Sequence, residues 1–313
     1  MAQKPEVFLT GATGFIGGRL LQTLTNQGFG VTCAVRREGF VLPAANIAVG
    51  SLDIEADWST ALQGATAVIH SAARAHIMDE GGSNPLDEFR KVNVAGTLNL
   101  ARQAAQAGVK RFIFISSIGV NGNINICPFT EDDEPSPAEP YAQSKWEAEQ
   151  CLWGIQRETG MELVIIRPPL VYGPNAPGNF GSLVRWVERG VPFPLGAIHN
   201  KRSLVSLENL VDLIITCIDH PAAANQVFLA GDGENLSTTE LLQGLAKAMG
   251  KPSRLVPVPA GLLMFGATVL GKKAMAQRLL GSLQVDISKA QSLLGWQPPL
   301  SVDEGLKRCF LDQ

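Results

Sequence analysis

The sequence has few of the residues that bind metals or form disulfides. Its 313 residues include four histidines and five cysteines, and the cysteines are scattered, odd in number and without a C-x-x-C pair. This pattern indicates neither a disulfide framework nor a zinc site, so we expect reduced thiols and no metal. His70, at the end of an apolar run, is interpreted as structural rather than catalytic.

Long hydrophobic runs and an excess of basic charge are missing as well. The longest apolar stretch, 261–270, is shorter than the about 20 residues that a bilayer-spanning helix needs. We expect a core helix there rather than an integral membrane segment or a membrane-surface helix. The net charge of −3 offers no basic surface for nucleic acid. Residues 1–5 show no signal peptide, so we expect a cytoplasmic protein.

Short apolar runs in the first half predict a buried parallel sheet. The runs are 7–10, 31–35, 67–70, 111–115 and 163–166. They do not alternate apolar with polar residues, which is typical of strands covered by helices on both faces. Helical spacing lies between them, as at Ile16, Leu20 and Leu24, and that helix is expected to end at Gly28. This order predicts an α/β fold with a doubly wound parallel sheet.

A glycine-rich turn follows the first predicted strand and opens the first predicted helix, with the sequence T-G-A-T-G-F-I-G over residues 10–17. The glycines allow a tight turn close to a pyrophosphate, and the helix N-terminus offers free N–H groups. We therefore predict a Rossmann-type dinucleotide site, with a purely structural turn as the alternative. Its predicted residues are Gly11, Thr13, Gly14, Phe15, Ile16 and Gly17.

The end of the second predicted strand indicates which dinucleotide binds. An acidic residue there would bond the ribose 2′-hydroxyl of NAD, but this chain has Arg36 and Arg37. Two guanidinium groups suit a 2′-phosphate, so NADP is preferred and NAD remains possible. The alternative is two solvated arginines, with Glu38 offsetting one of them. Asp53 is predicted to accept from the adenine amino group, or to be a simple loop residue.

The chain is long for one core, which predicts a large domain and a smaller lobe. After Arg167 the sequence becomes rich in Pro and Gly, as in loops that cover a crevice. We predict a dinucleotide-binding domain over 1–170, to which about 203–228 returns. The C-terminal substrate lobe is then formed by 171–202 and 229–313.

A tyrosine and a lysine lie four positions apart, at Tyr141 and Lys145, so a helix places both on one face. A nearby ammonium should lower the pKa of the phenol from its usual value of about 10. Such a phenol can exchange a proton with a sugar or alcohol oxygen. The pair is weak evidence alone, but here it follows the glycine motif and a serine at a strand end in the expected order.

Together these motifs resemble the extended short-chain dehydrogenase/reductase superfamily, and within it the NAD-dependent epimerase/dehydratase family. The resemblance covers nearly the whole chain. It rests on 10–17, Asp53, His70-Ser71-Ala72-Ala73, Asn93, Ser116-Ser117, Tyr141 with Lys145, Arg167-Pro168, and Asp286-Ile287-Ser288-Lys289 with Leu294-Gly295-Trp296.

The resemblance implies that Ser117, Tyr141 and Lys145 are catalytic. Ser117 would bond the C4 oxygen of a sugar, or it only caps local backbone. Tyr141 would be the general acid or base, and Lys145 would hold the nicotinamide ribose and lower the tyrosine pKa. Further cofactor contacts are implied for Ile54, Ala72, Ala73, Asn93, Tyr141 and Pro168.

The resemblance also implies how the second half of the chain binds substrate. Asn179 and Arg202 would bind the diphosphate of a UDP-sugar, with Arg278 as a second phosphate ligand, although both arginines could be surface residues. Leu283 stands where related epimerases vary a gate residue, or is a core leucine. Family members are commonly homodimers, which we expect here.

More narrowly, the chain resembles bacterial surface-polysaccharide enzymes, including O-antigen enzymes, that act at C4 of UDP-linked hexoses. Because of Arg36 and Arg37, the preferred hypothesis is an NADPH-dependent reductase of a UDP-4-keto-6-deoxy-N-acetylhexosamine. The main alternative is a UDP-glucose or UDP-N-acetylglucosamine 4-epimerase with tightly bound NAD. A steroid- or flavonoid-type carbonyl reductase, a 4,6-dehydratase and a non-catalytic NADP-binding regulator are further alternatives.

Overall fold

The structure is a computed structural model, and it describes residues 4–37, 39, 41–75 and 84–311. Glu38, which was set against the two arginines, lies outside the described residues. The strands are β1 (Glu6–Thr10), β2 (Gly30–Val35), β3 (Ala45–Ala48), β4 (Ala67–His70), β5 (Arg111–Ile115), β6 (Glu162–Arg167), β7 (Leu170–Tyr172), β8 (Arg202–Ser206), β9 (Gln226–Leu229) and β10 (Asn235–Leu236).

The helices include one unusual segment, a π-helical turn at Arg90–Gly96 that joins two α-helices. The α-helices are α1 (Phe15–Asn26), α2 (Pro85–Phe89), α3 (Thr97–Gln106), α4 (Pro140–Thr159), α5 (Gly178–Arg189), α6 (Leu207–Asp219), α7 (Thr238–Ala248), α8 (Ala260–Val269), α9 (Lys273–Leu280), α10 (Ser288–Leu294) and α11 (Val302–Arg308). Short 3-10 turns lie at Ile118–Val120 and Pro221–Ala223.

A parallel sheet forms the centre of the larger of the two layers. Its seven strands have the order β3-β2-β1-β4-β5-β6-β9. Val7 of β1 pairs with Val31 of β2 on one side and with Ala67 of β4 on the other. The strand order therefore reverses at β1 and β4, the place where doubly wound folds bind ligands. The predicted doubly wound parallel sheet is confirmed.

The apolar runs become strands because helices cover both sheet faces. Every residue of β4 and β5 is buried. One face packs on α1 and α6, with Leu20 and Leu210 fully buried, and the other packs on α3 and α4. Helix α4 begins at Pro140, which suits the first helical position, and ends at Gly160 in the left-handed conformation with φ 74°.

A second, smaller layer lies beside the sheet. Strands β10, β8 and β7 form a three-stranded sheet that packs with α5, α7 and α11. Helices α7 and α11 each begin with a reciprocal capping box, formed by Ser237 with Glu240 and by Ser301 with Glu304. Strand β8 belongs to this small sheet and β9 to the large one. The division at residue 170, with 203–228 returning, stays a prediction.

The segment 261–270 differs from its prediction. It forms most of α8, but none of the ten residues of this helix is buried, and Phe265 and Val269 are each 71% exposed. The expected core helix is therefore wrong. No helix within the described residues has both the length and the apolar character needed to cross a membrane.

Candidate active site

The glycine-rich turn leaves β1 and enters α1 at the point where the strand order reverses. Gly11 has φ 78°, a backbone conformation that side chains disfavour, and the N–H of Gly14 donates to its carbonyl at 2.8 Å. Helix α1 has no side-chain cap at Gly14 and no acidic residue in its first turn. Its first N–H groups therefore remain available to an anion.

Close packing explains the glycines and fits a dinucleotide. A Cβ on Gly17 would lie 2.0 Å from the Gly11 carbonyl oxygen, and a Cβ on Gly11 would lie 2.7 Å from Oγ of Ser71. Only glycine lets α1, the turn and the end of β4 meet this closely. Thr13 and Gly14 are exposed beside the helix N-terminus, where the diphosphate of a dinucleotide would be bound.

The predicted adenosine contacts lie beyond the ends of β2 and β3. Arg36 and Arg37 are exposed and make no hydrogen bond or ion pair with the described residues. The Asp53 carboxylate accepts from the N–H of Glu55 at 3.0 Å, which fixes a local turn. Ile54 is 70% exposed. The contact of Asp53 with adenine stays a prediction, and its neighbour Ile54 is open to a ligand.

The residues after β4 are held by polar contacts. The N–H of Ala72 donates to the hydroxyl of Thr10 at 3.3 Å, and Ala73, which follows it, is exposed. Asn93 is buried in the π-helical turn, where its amide donates to Oγ of Ser144 at 3.0 Å and accepts from the N–H of Arg74 at 2.8 Å. Asn93 therefore ties the end of β4 to helix α4, which carries the Tyr-Lys pair.

His70, the last residue of β4, is buried and its ring connects β1 to α3. Its ring nitrogens contact the hydroxyls of Thr10 at 2.7 Å and Thr97 at 2.9 Å. Burial, together with the charge of Lys145, lowers the pKa of His70 to about 3. The imidazole is therefore neutral near pH 7 and has a structural role.

Ser117 follows β5 and begins a short 3-10 turn. Its Oγ accepts from the N–H of Gly119 at 3.1 Å, so the serine does cap local backbone, but its own hydroxyl hydrogen has no acceptor among the residues that the structure describes. A Cβ on Gly119 would lie 3.3 Å from Oγ of Ser117 and 3.1 Å from Cβ of Ala142. The missing side chain at Gly119 thus lets the turn that begins at Ser117 pack closely against Ala142 in the first turn of α4. The carbonyl of Pro168 accepts from the N–H of Ile118 at 3.0 Å and steadies this turn.

Lys145 is buried beneath the same edge. Its Nζ donates to the carbonyl of Ile115 at 2.8 Å and lies 4.4 Å from the centre of the Phe114 ring. Burial lowers the pKa of Lys145 to about 7, against the opposing effect of Glu149. Its charge state therefore changes near neutral pH.

Tyr141 corrects one expectation. Its ring packs edge-on against Phe89 at 5.8 Å between centroids. Burial raises the pKa of Tyr141 to about 12, whereas a decrease caused by Lys145 was expected. The direction was wrong because burial removes the phenol from water, which disfavours the charged phenolate.

A buried charge network lies one helical turn beyond Lys145, and it was missed from the sequence. Glu149 forms an ion pair with Arg167, with 2.5 Å between Oε2 and Nη2, and accepts from the hydroxyl of Ser116. Nη1 of Arg167 also donates to the amide oxygen of Asn121 at 3.0 Å. The signal was available, since a carboxylate four positions after Lys145 lies on the same helix face.

The small layer contacts the N-terminus of α4 through Arg278, which Arg202 holds in turn. Nη1 of Arg202 donates to the carbonyls of Arg278 at 2.5 Å and Gly281 at 3.2 Å. The Arg278 guanidinium pairs with Glu139, two positions before Tyr141. Arg278 therefore lies at the N-terminus of α4, and burial lowers the pKa of Arg202, which contacts the Arg278 backbone.

The other two residues of the predicted substrate site are placed differently. Asn179 is exposed at the start of α5, and no hydrogen bond within the described residues joins it to the two arginines. Leu283 is buried and packs with Ile118 and Leu229. It is a core leucine directly beneath the turn that Ser117 begins.

Comparison with known proteins decides the family. A family model described as "NAD dependent epimerase/dehydratase family" matches residues 7–231. The chain belongs to this family. The predicted membership of the epimerase/dehydratase family, with its short-chain dehydrogenase/reductase fold, is confirmed, and so is the prediction of an enzyme of this type.

Relatives within the family match almost the full length. A Vibrio cholerae protein named UDP-glucose 4-epimerase is 48% identical over 307 residues, which cover 97% of this chain and 94% of the relative. An Escherichia coli O157:H7 protein named N-acetyl-alpha-D-glucosaminyl-diphospho-ditrans,octacis-undecaprenol 4-epimerase is 30% identical over 320 residues, covering 97% and 93%.

Solved structures share the epimerase/dehydratase fold. The structure of MoeE5 in complex with UDP-glucose and NAD has a TM-score of 0.76 and 26% sequence identity, and each chain is covered to 96%. Since both layers align across this length, the smaller layer is part of the shared architecture.

Proposed function

We propose that the chain is a UDP-hexose 4-epimerase that retains a nicotinamide dinucleotide through turnover. The observation that carries the proposal is the close approach at Gly119, where the turn that begins at Ser117 packs against Ala142, the residue next to Tyr141 on α4. This edge lies beside an uncapped helix N-terminus suited to a diphosphate. The 48% identity to a protein named UDP-glucose 4-epimerase supports the same reaction class.

The proposal reverses the order of the two leading hypotheses. The sequence alone favoured a C4 reductase because of Arg36 and Arg37, with the epimerase as its alternative. The two relatives described above are both named 4-epimerases, and neither name supports a reductase. The epimerase is therefore the better supported of the two.

The residues that would hold the cofactor lie around the ends of β1 and β4, where the strand order reverses. The turn from Gly11 to Gly17 would bind the diphosphate through its backbone, and the backbone of Ala72 and Ala73 lies across from it. Lys145 and Pro168 would border the nicotinamide end, below Ser117. When bound, the nicotinamide supplies an acceptor for the hydride at C4 of the sugar and returns it to the opposite face.

Three side chains would act on the proton of the C4 hydroxyl group. Ser117 would donate its free hydroxyl hydrogen to that oxygen and orient it. The Tyr141 phenolate would accept the proton as C4 is oxidised, and the phenol would return it as C4 is reduced, so the phenolate is restored after each cycle. A buried phenol is a weak acid, so the positive charge of Lys145 is needed to stabilise the phenolate.

NAD is the better supported cofactor. The family description names NAD, and MoeE5 is described with bound NAD. Arg36 and Arg37, unpaired with other described residues, keep NADP as the alternative. Mass spectrometry of the nucleotide released by denaturing the purified protein distinguishes the two. Bound NAD would support the proposal, and bound NADP would make the reductase the better hypothesis.

The small layer would bind the UDP group. Arg202 and Arg278 lie together, and we propose that Arg278 exchanges Glu139 for a phosphate oxygen when substrate binds. Asn179 is a weaker candidate, because it is exposed at the start of α5 without a contact to this pair. The homodimer, the cytoplasmic location and a role in O-antigen or other polysaccharide synthesis stay predictions.

Incubation without added cofactor tests the proposal. Purified protein is mixed anaerobically with UDP-glucose or UDP-N-acetylglucosamine, and the sugar is analysed by NMR. Appearance of the C4 epimer, absent with Tyr141→Phe, supports an epimerase. No epimer, together with NADPH oxidation by a UDP-4-keto-6-deoxy-N-acetylhexosamine, would identify the reductase instead. Failure with both substrates would contradict the proposed class of reaction.

A further inference from the structure

Helix α8 presents large apolar side chains to solvent. Leu262 is 64% exposed, Phe265 and Val269 are each 71% exposed, and Leu270, which follows the helix, is 73% exposed. Positions 262, 265 and 269 have the spacing of one helix face. Single exposed apolar residues are ordinary, but a contiguous face of this kind marks a binding surface.

The helix is held so that this face points outward. Leu263, on the other side of α8, packs against the core of the small layer together with Leu279 and Leu280 of α9. Helices α8 and α9 contact each other directly. The exposed face is thus a fixed part of the fold.

The stretch of sequence that contains α8 has charged residues of one sign only. Residues 241–285 contain no Asp or Glu but six basic residues, so this segment carries +6 while the rest of the chain carries −9. The six are Lys247, Lys251, Arg254, Lys272, Lys273 and Arg278. An acid-free basic segment within an acidic protein indicates a partner with negative charge.

Two of these cations directly follow the apolar face. Lys272 and Lys273 are exposed, and neither side-chain ammonium has a hydrogen bond or ion pair with any residue that the structure describes. By contrast, Lys247 pairs with Asp303, and Arg278 pairs with Glu139. These two lysines, which follow the apolar face in the sequence, are available to an anionic partner.

We propose that α8, with Lys272 and Lys273, binds the surface of an anionic phospholipid bilayer. The apolar face formed by Leu262, Phe265 and Val269 would enter the boundary between headgroups and acyl chains, and the lysines would contact lipid phosphates. The helix lies in the interface, since ten residues cannot cross the hydrocarbon core.

A second copy of the chain explains the surface less well. A two-fold symmetric dimer through α8 would bring the same basic segment of both copies together. That contact would set Lys272 and Lys273 against their own counterparts without an acidic residue from 241–285 to offset them. An anionic lipid surface would bury the apolar face and would also neutralise the two cations.

Docking through α8 would bring the small layer to the membrane. Helix α9, which follows directly, carries Arg278, whose carbonyl holds Arg202. The candidate substrate residues would therefore lie close to the lipid surface. The inference concerns binding alone and is independent of which sugar the enzyme converts.

Vesicle sedimentation of the full chain tests the inference. Vesicles of phosphatidylcholine alone are compared with vesicles of one part phosphatidylglycerol to two parts phosphatidylcholine. The protein should sediment with the anionic vesicles and much less with the neutral ones, and added salt should weaken the binding. Lys272→Glu with Lys273→Glu should lower the partition coefficient about 10-fold or more. Leu262→Ser with Phe265→Ser should also lower it strongly.

Matched variants control for charge and hydrophobicity. Lys110→Glu with Arg157→Glu makes the same charge change at exposed positions elsewhere, and Val41→Ser with Ile126→Ser removes exposed apolar groups elsewhere. Both should sediment like the wild type, and circular dichroism should show that all variants are folded. Equal binding by the α8 variants, or no binding by the wild type, would overturn the inference. Loss of a dimer in the α8 variants without vesicle binding would assign the face to a second copy.

Discussion

Glu149 and Arg167 form a buried ion pair directly beneath the candidate active site, with 2.5 Å between Oε2 and Nη2. The side chain of Glu149 is fully buried, and that of Arg167 is 4% exposed. Glu149 lies one helical turn after Lys145 and also accepts from Ser116, next to Ser117. The pair therefore joins α4 to the ends of β5 and β6, the same junction that holds the predicted catalytic residues.

Glu149→Gln is expected to lower the free energy of unfolding by about 3–5 kcal/mol, because it leaves the Arg167 guanidinium buried without a compensating charge. Chemical denaturation followed by circular dichroism measures the change. The double variant Glu149→Met with Arg167→Met should recover much of the loss. Lys247→Gln breaks the exposed pair with Asp303 and should cost about 1 kcal/mol or less. A Glu149→Gln effect as small as this control would show that the pair contributes little.

Tyr141→Phe is expected to lower turnover by about 10²–10⁴-fold, since it removes the group that moves the C4 proton. The retained nucleotide, measured by mass, should be unchanged. Tyr172 is the only other tyrosine of the chain and donates to Asp232 at 2.7 Å within the small layer. Tyr172→Phe should therefore reduce stability while leaving the rate of the chemical step close to the wild type. Substantial turnover by Tyr141→Phe would rule out its proton-transfer role.

Lys145→Met is expected to change how stability depends on pH. The pKa of Lys145 falls from about 10.5 in the unfolded chain to about 7 in the folded protein. Between these values the unfolded state binds the extra proton, so the wild type gains stability relative to Lys145→Met as pH rises from about 7 to about 10.5. Denaturation curves at several pH values measure this difference. Parallel pH profiles would mean that the Lys145 pKa is not lowered by folding.

Gly17→Ala is expected to abolish nucleotide retention, because the new Cβ would lie 2.0 Å from the Gly11 carbonyl oxygen and force the turn apart. Gly18→Ala is the matched control, since its Cβ would come no closer than 3.4 Å to a neighbouring atom. It should keep the nucleotide and gain up to about 1 kcal/mol from helix propensity. Nucleotide content after gel filtration measures both variants. Equal retention would contradict a phosphate site at this turn.

The sequence predicted β1, β4 and β5 well, because a strand buried on both faces must be a continuous apolar run. It did not predict β3, an edge strand whose residues Ala45–Ala48 are mostly exposed and form no such run. The apolar composition of α8 was interpreted as core. Composition alone does not tell which surface an apolar helix meets, and only the packing of Leu263 shows which side faces inward.

The candidate site was predictable to a similar degree. The spacing of Tyr141 and Lys145 correctly placed both on α4. It did not show that the ammonium would donate to the Ile115 carbonyl, which belongs to a strand distant in the sequence. The pairing of Glu149 with Arg167 was missed for the same reason, since its two members lie on different elements.

The fate of the hydrogen at C4 tests the central claim most directly. UDP-glucose carrying deuterium at C4 is incubated with the purified protein in ordinary water without added nucleotide, and the product is examined by NMR. An epimerase that removes and returns the same hydride should give UDP-galactose with deuterium retained at C4. Inverted product with hydrogen at C4, or no inversion at all, would contradict the account.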